Sequence, residues 1–359
     1  MKFVGEHPTI EFVETGYYSL DLALRESYNR LGISTRTLTE LIGPTSIGKS
    51  HFINSLAGVL GHKLERNVAC LDLELQNQDT LERILNNAGF DNEWRWVVPG
   101  KKRKKKGKED DDNDIVADER LLNALCQEAN DNCITILDSV AAIVPVAEGE
   151  GDIGDRNIGA RAFPMAQFSR LMAKALRYSP DSTLSFMANH RYKEIATGLP
   201  FQTYGTPGGQ VKENMAHIRI EARVPYIPIG SAKKQGRFGN GWIFEGKVLK
   251  NRFGLSHSDF WVFIIGGQGI HFGLTAMFDC VKLGLAKLNT GATITLKSTG
   301  EELGRVTKIV EDRNNYDFSM FHNALKAHQI SAQDDAELIE RAKEEEAEYV
   351  PTDEDMEDE

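Results

Sequence analysis

The sequence predicts an α/β protein in which a mostly parallel central sheet is flanked by helices. Up to residue 190, apolar strand-like runs alternate with helix-like segments, which is the pattern of parallel strands joined by helical crossovers. Three further strand-like runs, 217–223, 242–250 and 260–265, favour antiparallel additions to the sheet. From residue 271 the order becomes helix, short threonine-rich hairpin and helix, which predicts a small α+β domain.

These patterns divide the 359 residues into four parts. We predict a short N-terminal segment at 1–30, a core at 31–270, a small C-terminal domain at 271–333 and a disordered acidic tail at 334–359. A charged insertion at 101–114 interrupts the core with seven basic residues followed by five acidic ones. Such a run is typical of a solvated surface loop, although a contact to a DNA backbone or a localisation signal stays open.

The net charge of −11 is concentrated at the C-terminal end. Of the 53 acidic residues, 14 lie from Asp334 onward, together with two of the 42 basic residues. The tail therefore carries a net charge of −12 and the rest of the chain +1. This nearly neutral remainder does not exclude a nucleic-acid partner, because an acidic tail can repel or mimic a polyanion.

The chain has no run of about 18 apolar residues and no secretory leader, so we expect neither membrane insertion nor secretion. The four cysteines form no C-x-x-C pair and have no histidine at zinc-site spacing. They are typical of reduced, mostly buried thiols, and we expect a cytoplasmic protein.

One octapeptide carries the sharpest chemical signal. It lies between an apolar run at 38–42 and a plausible helix at 51–60, and it fits the pattern G-x-x-x-x-G-K-[ST]. In this pattern glycines let several backbone N–H groups face a phosphate, the lysine reaches the β- and γ-phosphates, and the final hydroxyl takes a Mg²⁺ site. The motif predicts a site for a nucleoside triphosphate and Mg²⁺ formed by Gly43, Pro44, Thr45, Ser46, Ile47, Gly48, Lys49 and Ser50.

Two carboxylates complete this predicted site. Asp138 ends the apolar run 134–138, where a carboxylate can hold the water shell of the metal. ATP hydrolysis also needs a group that orients or deprotonates the attacking water. Glu74, at the end of the preceding strand-like run, is the best candidate, and Asp72 is its rival.

Longer stretches connect this site to a known family. The run LDSVAAIVPVAEGEGDIGDRNIGAR at 137–161 resembles the bacterial RecA recombinases, from their metal-binding strand through their first DNA-binding loop. Similar runs stand at 15–24 (TGYYSLDLAL), 72–74 (DLE), 250–253 (KNRF) and 266–272 (GGQGIHF). The resemblance implies a RecA-type core, and it covers roughly residues 10–330.

The resemblance also implies DNA-binding residues. It places two DNA loops at about 148–160 and about 191–212, each with an apolar side chain that wedges between base triplets. Ile158 and Ile195 stand at the matching positions, although without the resemblance either would be typical of a small local core. Gly208 and Gly209 resemble paired glycines that let the backbone approach DNA. Further DNA-binding candidates are Arg156, Arg170 and Arg191.

Lys250 and Arg252 are two cations at positions i and i+2 of a strand-like run, so they project from the same face. Taken alone, this pattern is typical of a solvated basic strand edge. The resemblance implies that both reach ATP bound to the neighbouring subunit and act like arginine fingers. We therefore group them with Lys49 and Glu74 as candidate catalytic residues.

The chain also departs from RecA. RecA has an Asn–Gln pair whose glutamine senses the γ-phosphate, whereas this chain has Asn189–His190, which the phage UvsX recombinases look to share. A histidine can still donate a hydrogen bond, and its titration would make the switch pH-sensitive. About fourteen residues precede the RecA-like segment, which leaves the linkage between protomers open. No aromatic residue for stacking on adenine is evident near 79–81, and Arg219 and Arg223 are weak candidates for holding the second DNA duplex.

We therefore predict an ATP-dependent recombination and repair protein, a DNA-dependent ATPase that forms helical filaments on single-stranded DNA and pairs it with homologous duplex DNA. Loader or single-strand-binding proteins are further candidate partners. Two alternatives remain open: a ring-forming motor or helicase on the same core, and a DNA-binding assembly protein that uses ATP only as a switch.

Overall fold

The structure is a computed structural model that describes residues 9–98, 118–149, 160–193, 204–229 and 231–348. Its strands are β1 (Phe12–Val13), β2 (Ile33–Ser34), β3 (Thr37–Gly43), β4 (Val68–Asp72), β5 (Trp94–Trp96), β6 (Ile134–Asp138), β7 (Leu184–His190), β8 (Tyr192–Lys193), β9 (Tyr204–Gly205), β10 (Ile218–Arg223), β11 (Tyr226–Ile229), β12 (Ala232–Gln235), β13 (Arg237–Phe238), β14 (Gly241–Asn251), β15 (Asp259–Ile265), β16 (Gly269–Ile270), β17 (Ala286–Leu288), β18 (Thr293–Leu296) and β19 (Glu302–Arg305). Its helices are α1 (Tyr18–Leu24), α2 (Lys49–Leu64), α3 (Gln78–Asn87), α4 (Asp118–Asn130), α5 (Val146–Gly149), α6 (Ala162–Tyr178), α7 (Gly209–Met215), α8 (Phe272–Lys282), α9 (Val306–Glu311) and α10 (Ser319–Glu348). Across these residues, no helix has the length and apolar character needed to span a membrane.

A large sheet organises the described residues. It contains ten strands, of which nine run in the order β16-β15-β14-β10-β3-β7-β6-β4-β5, while β13 pairs with β14. The strands from β10 to β5 along this path are mutually parallel. The strands β13 to β16 pair in antiparallel fashion at the other side. The prediction of a mostly parallel sheet with antiparallel additions is confirmed.

Helices cover both faces of the parallel strands. Because successive strand residues project to opposite faces, neighbours on one strand join different cores. Ile136 and Phe186 pack with Phe52 of α2, whereas Leu137 and Met187 pack in the cluster beneath α4 and α6. Burial on both faces explains why these strands are continuous apolar runs in the sequence rather than alternating ones.

The parallel strands end together at one edge of the sheet. Gly43 of β3 lies beside His190 of β7, and Asp72 of β4 lies beside Asp138 of β6. In open α/β sheets this carboxyl edge is where ligands bind. Polar residues that are distant in sequence are therefore brought to one place by the register of four strands.

The C-terminal elements share a core with the sheet. The predicted α+β region after residue 271 contains α8, the three-stranded sheet β17-β18-β19, α9 and the start of α10. Leu274 and Phe278 of α8 belong to the same buried cluster as Ile243 and Phe263 of β14 and β15. The rings of Phe263 and Phe278 stack with centroids 5.1 Å apart. This apolar contact joins the two regions into one buried cluster.

Two segments have more regular structure than we predicted. The helix α10 continues through 334–348, where the sequence predicted a disordered tail. This stretch contains six glutamates and three alanines, and both residue types have high helix propensity. The predicted second DNA loop at about 191–212 contains β8, β9 and the start of α7. The charged insertion 101–114 and residues 349–359 lie outside the described residues.

Candidate functional site

The P-loop at 43–50 joins the end of β3 to the start of α2, as the sequence predicted. Gly48 has a φ of 98°, and a Cβ there would lie 2.8 Å from Cζ2 of Trp242, so both the backbone and the available space require glycine. The N-terminus of α2 faces the loop and offers unpaired N–H groups to an anion.

A cavity of about 370 Å³ adjoins this loop. It brings together residues from the P-loop, β6, β7 and the segment after β4. Some of these residues were predicted from the sequence to form the nucleotide site, and others were not. The lining residues are Thr45, Ser46, Gly48, Lys49, Ser50, His51, Glu74, Gln76, Asn77, Thr80, Asp138, His190 and Trp242. Its size falls in the ordinary range for small-molecule sites.

Lys49 lies within its own loop. Its ammonium group donates to the carbonyl oxygens of Gly43 at 3.1 Å and Pro44 at 2.7 Å. Burial lowers the pKa of Lys49, while the nearby Asp138 and Glu74 carboxylates raise it, and the balance is below the ordinary value. The lysine is therefore held at the loop by groups that an incoming phosphate can replace.

Asp138 is a buried carboxylate, 2% exposed, at the end of β6. It accepts hydrogen bonds from the Ser50 hydroxyl and from Nε2 of Gln76, the latter at 2.5 Å. Burial raises the pKa of Asp138 to about 6, and the Ser50 hydrogen bond partly offsets that rise. A hydroxyl and a carboxylate side by side are suitable oxygen ligands for Mg²⁺, which commonly takes one or two protein ligands and completes its shell with water and phosphate.

Glu74 accepts two hydrogen bonds on one oxygen. Ser139 Oγ donates at 2.5 Å, and His190 Nε2 lies at 3.1 Å. Burial raises the pKa of Glu74. The hydrogen bonds from Ser139 and His190 and the charges of His190 and Lys49 lower it by more, so the pKa of Glu74 lies below its usual range. The rival Asp72 accepts from the backbone N–H groups of Glu74, at 2.9 Å, and Gln76. Asp72 thereby shapes the turn that presents Glu74 to the cavity.

His190 and Asn189 connect this cavity to the interior. Nδ1 of His190 is buried and has no hydrogen-bond partner among the described residues. Nδ2 of the adjacent Asn189 donates to Oε1 of Glu40 at 2.7 Å. Glu40 and Lys212 are both fully buried and form an ion pair. Because Lys212 lies on α7, this chain of contacts reaches from the cavity to the end of the second predicted DNA loop.

Glu40 has a second cationic partner in Arg219, whose Nε lies 2.8 Å from Oε2. Burial raises the pKa of Glu40, but Lys212 and Arg219 lower it by a larger amount. The pKa of Glu40 therefore lies below its ordinary value. Arg219 also pairs with Glu213 at 3.2 Å, and Arg223 pairs with Glu245. Arg219 and Arg223, the weak candidates for holding the second DNA duplex, therefore both have carboxylate partners within the protein.

Lys250 and Arg252 lie away from the nucleotide cavity. Strand β14 is antiparallel to β10, and Lys250 pairs in register with Arg219, whose parallel partner is Glu40 in the middle of β3. Lys250 Nζ donates to the carbonyl of Asn214 at 2.9 Å, and Nη2 of Arg252 donates to the same oxygen at 3.3 Å. The two cations thus converge, as their spacing predicted, but neither lines the cavity of its own chain.

The predicted DNA-binding residues divide into two groups. Arg156, Ile158 and Ile195 lie outside the described residues. Arg170 is exposed on α6, and Arg191 pairs with Glu221 of β10.

Both predicted loop glycines have positive φ, 93° at Gly208 and 76° at Gly209. A Cβ at Gly208 would lie 3.1 Å from Val140 and from the stem of Lys212, and one at Gly209 would lie 3.0 Å from Cβ of Ala162. Close packing within the chain therefore explains these glycines without any contact to DNA.

Sequence reasoning missed several residues of the cavity. Gln76 contacts Asp138, and Trp242 donates from Nε1 to the carbonyl of Ile47 at 2.9 Å. Gln76 stands two residues after Glu74, a position that a search of the same turn could have included. Nothing in the local sequence connects Trp242 to the P-loop, because the contact depends on β14 passing beside β10.

Comparisons with known proteins agree with this architecture. The family model described as the RecA N-terminal domain matches residues 117–271. Protein RecA of Rhodopirellula baltica is 29% identical over 250 residues, which cover 68% of this chain and 57% of that protein. Protein RecA of Bacillus licheniformis is 33% identical over 138 residues, 38% of this chain and 37% of that protein. The chain thus spans less than two thirds of the length of these relatives.

A solved structure titled "Crystal structure of the RadB recombinase" aligns with a TM-score of 0.46 and 17% identity, covering 72% of this chain and 97% of that one. The similarity of this chain to RecA does not depend on that weaker structural likeness. It depends on the family model and the curated relatives, together with the P-loop, the carboxylates behind it and the parallel sheet. The resemblance read from the sequence is thereby confirmed: residues 117–271 match the RecA N-terminal domain, and the described residues form a P-loop core with a mostly parallel sheet flanked by helices.

Proposed function

We propose that this protein is an ATP-dependent recombination protein that assembles as a filament on single-stranded DNA and promotes pairing and strand exchange with homologous duplex DNA. The observation that carries this proposal is the separation of charged groups in one chain. Lys49, Glu74 and Asp138 surround the cavity, whereas Lys250 and Arg252 converge at a distance from it. A neighbouring protomer could supply the two cations to the nucleotide, as arginine fingers do in other nucleotide hydrolases.

The residues of the cavity have distinct proposed roles. Lys49 exchanges its carbonyl partners for the β- and γ-phosphates, and Ser50 and Asp138 hold Mg²⁺. When bound, the metal neutralises charge on the phosphate oxygens. Glu74 is ionised at neutral pH, because its pKa lies below the usual range, and it accepts a proton from the attacking water.

His190 is proposed to report the γ-phosphate. In the described geometry its Nε2 lies 3.1 Å from Glu74 Oε1, and its buried Nδ1 has no hydrogen-bond partner among the described residues. A phosphate that draws His190 away would also remove a hydrogen bond from Glu74. The sensor and the base would then respond to the nucleotide together.

Single-stranded DNA is proposed to bind along the loops at 148–160 and 191–212. The described ends of these loops support a shared site, since Gly209 packs closely on Ala162 at the start of α6. The same helix exposes Phe163, whose side chain is 73% accessible, together with Arg170. An aromatic ring and a cation are the side chains that bind bases and backbone in single-stranded sites.

Electron microscopy with single-stranded DNA and a non-hydrolysable ATP analogue tests the assembly directly. We expect helical filaments, and an ATPase activity that single-stranded DNA stimulates and that falls steeply as salt is raised. Closed rings would favour a motor of the same core. The absence of both filaments and DNA-stimulated hydrolysis would refute the proposal.

A further inference from the structure

Trp242 lies against the P-loop. Its strand β14 is on one side of β3 in the sheet, whereas β6 and β4, which lead to Asp138 and Glu74, are on the other side. Its indole N–H donates to the Ile47 carbonyl at 2.9 Å, and its Cζ2 lies 2.8 Å from the position that a Cβ on Gly48 would take. The position is fixed by the register of β14, which begins at the P-loop end of the sheet, two strands from β3. An aromatic surface therefore borders the site that binds the phosphates.

His51 and Gly267 extend this surface. Nε2 of His51 accepts from the backbone N–H of Gly267 at 2.9 Å, and its ring lies edge-on to the indole with centroids 6.0 Å apart. Because Nε2 is an acceptor and burial lowers the pKa of His51, the imidazole is neutral with its proton on Nδ1. A Cβ built on Gly267 meets nothing within 4 Å, so there is open space beside this turn.

Arg237 lies beside the indole ring of Trp242. Arg237 pairs in register with Trp242 across β13 and β14, and its guanidinium lies 6.0 Å from the centre of the indole. The polar lining residues Gln76, Asn77 and Thr80 have no ring to stack on a base. Trp242 is thus the large aromatic surface available beside the phosphate site among the cavity's described lining residues.

We propose that Trp242, flanked by His51 and Gly267, forms the subsite for the purine base of the nucleotide. Stacking on an indole is a contact that any aromatic base can make, and the larger purine gains more buried area from it. The inference rests on the proposed function, since it assumes that the P-loop binds a nucleoside triphosphate. It adds the residue that recognises the base.

The experiment compares two ligands that differ in the base. Calorimetry with Mg²⁺ measures the affinity of ATP and of inorganic triphosphate for the full chain and for Trp242→Ala, Trp242→Phe and Trp261→Phe. Trp261 is the matched control, because it lies on the neighbouring strand β15 and its indole donates to Glu245 instead. We expect Trp242→Ala to weaken ATP about tenfold while leaving triphosphate within about twofold, and Trp242→Phe to recover most of the loss.

Parallel losses for both ligands in Trp242→Ala would overturn the inference, because they would show that the indole only supports the P-loop. Unchanged affinity for both ligands would overturn it as well. If Trp242→Ala does not fold, fluorescence gives the answer: ATP should alter the tryptophan emission of the wild-type and Trp261→Phe chains but not that of Trp242→Phe. A wild-type chain that binds neither ligand would instead refute the proposed function on which the subsite depends.

Discussion

The two places where this chain concentrates charge differ in what their side chains contact. At the carboxyl edge of the sheet, Glu74, Asp138 and His190 hydrogen-bond to side chains of the same cavity. Lys250 and Arg252 instead donate to main-chain carbonyls at the end of α7. Burial and the nearby arginines lower the pKa of Lys250. The first region is assembled within one chain, whereas the second is a pair of close cations that we propose to contact the nucleotide of a neighbouring protomer.

The largest effect is expected when the two cations are removed together. In the Lys250→Ala/Arg252→Ala variant we expect DNA-stimulated ATP hydrolysis to fall by about 10³-fold or more, the range for arginine fingers. ATP affinity of the isolated protomer should stay nearly unchanged, because neither side chain lines its cavity. Steady-state turnover and calorimetry check the two statements, and Lys247→Ala, exposed on the same strand, is the control.

A mixing experiment separates action within a chain from action between chains. The double variant retains Glu74 and a Glu74 variant retains both cations, so mixed assemblies contain some complete sites. Turnover in the mixture above the sum of its parts would support a site shared between protomers. If the mixture stays inactive while both variants co-assemble, the cations do not act across the interface.

Glu74→Gln is expected to reduce turnover by about 10²–10⁴-fold, the usual range for loss of a general base. The amide keeps the shape and can still contact Ser139, so assembly on DNA should persist. Hydrolysis assays and electron microscopy on the same preparation provide the measurement. Turnover close to that of the wild type would show that Glu74 is not the general base, and Asp72 would then be the next candidate.

Glu40 lies between the two regions and tests whether they are structurally joined. Glu40→Gln leaves Lys212 buried without its carboxylate partner, and we expect a loss of about 3–5 kcal/mol in the free energy of unfolding. Denaturant titration measures it. Glu221→Gln, which removes a more exposed pair with Arg191, is the control and should cost less than about 1 kcal/mol. Equal losses in the two variants would contradict a special role for the buried pair.

The smallest expected effect concerns His190. Its Nε2 lies 3.1 Å from the Glu74 oxygen that also accepts a hydrogen bond from Ser139. We expect His190→Gln to lower turnover only a few-fold, because the glutamine amide can still donate to Glu74 and Ser139 remains in place. Steady-state hydrolysis measures this change, and a loss as large as that of Glu74→Gln would show that His190 takes part in the chemical step itself.

The sequence was most informative where the residues of a functional group lie next to one another along the chain. The P-loop is contiguous, and Asp138 ends an apolar strand, so both could be assigned from local patterns. Lys212 shows the opposite case, since a lysine in a polar, glycine-containing stretch predicts an exposed loop but is fully buried against Glu40. The contact of Trp242 with Ile47 spans 195 residues and depends on strand order, which no local pattern specifies. Helix α10 past residue 334 was missed because its excess charge predicted disorder more strongly than its helix propensity predicted structure.

The core shared by α8 with β14 and β15 limits how this chain can be divided. Ending it before α8 would expose the face of the sheet that carries Phe263 and Ile265 to water, along with Ile243. An apolar patch of that kind promotes aggregation. The C-terminal region therefore cannot be exchanged as a self-contained module, whereas β13 to β16 and α8 to α10 together form a unit that must be kept or replaced as one.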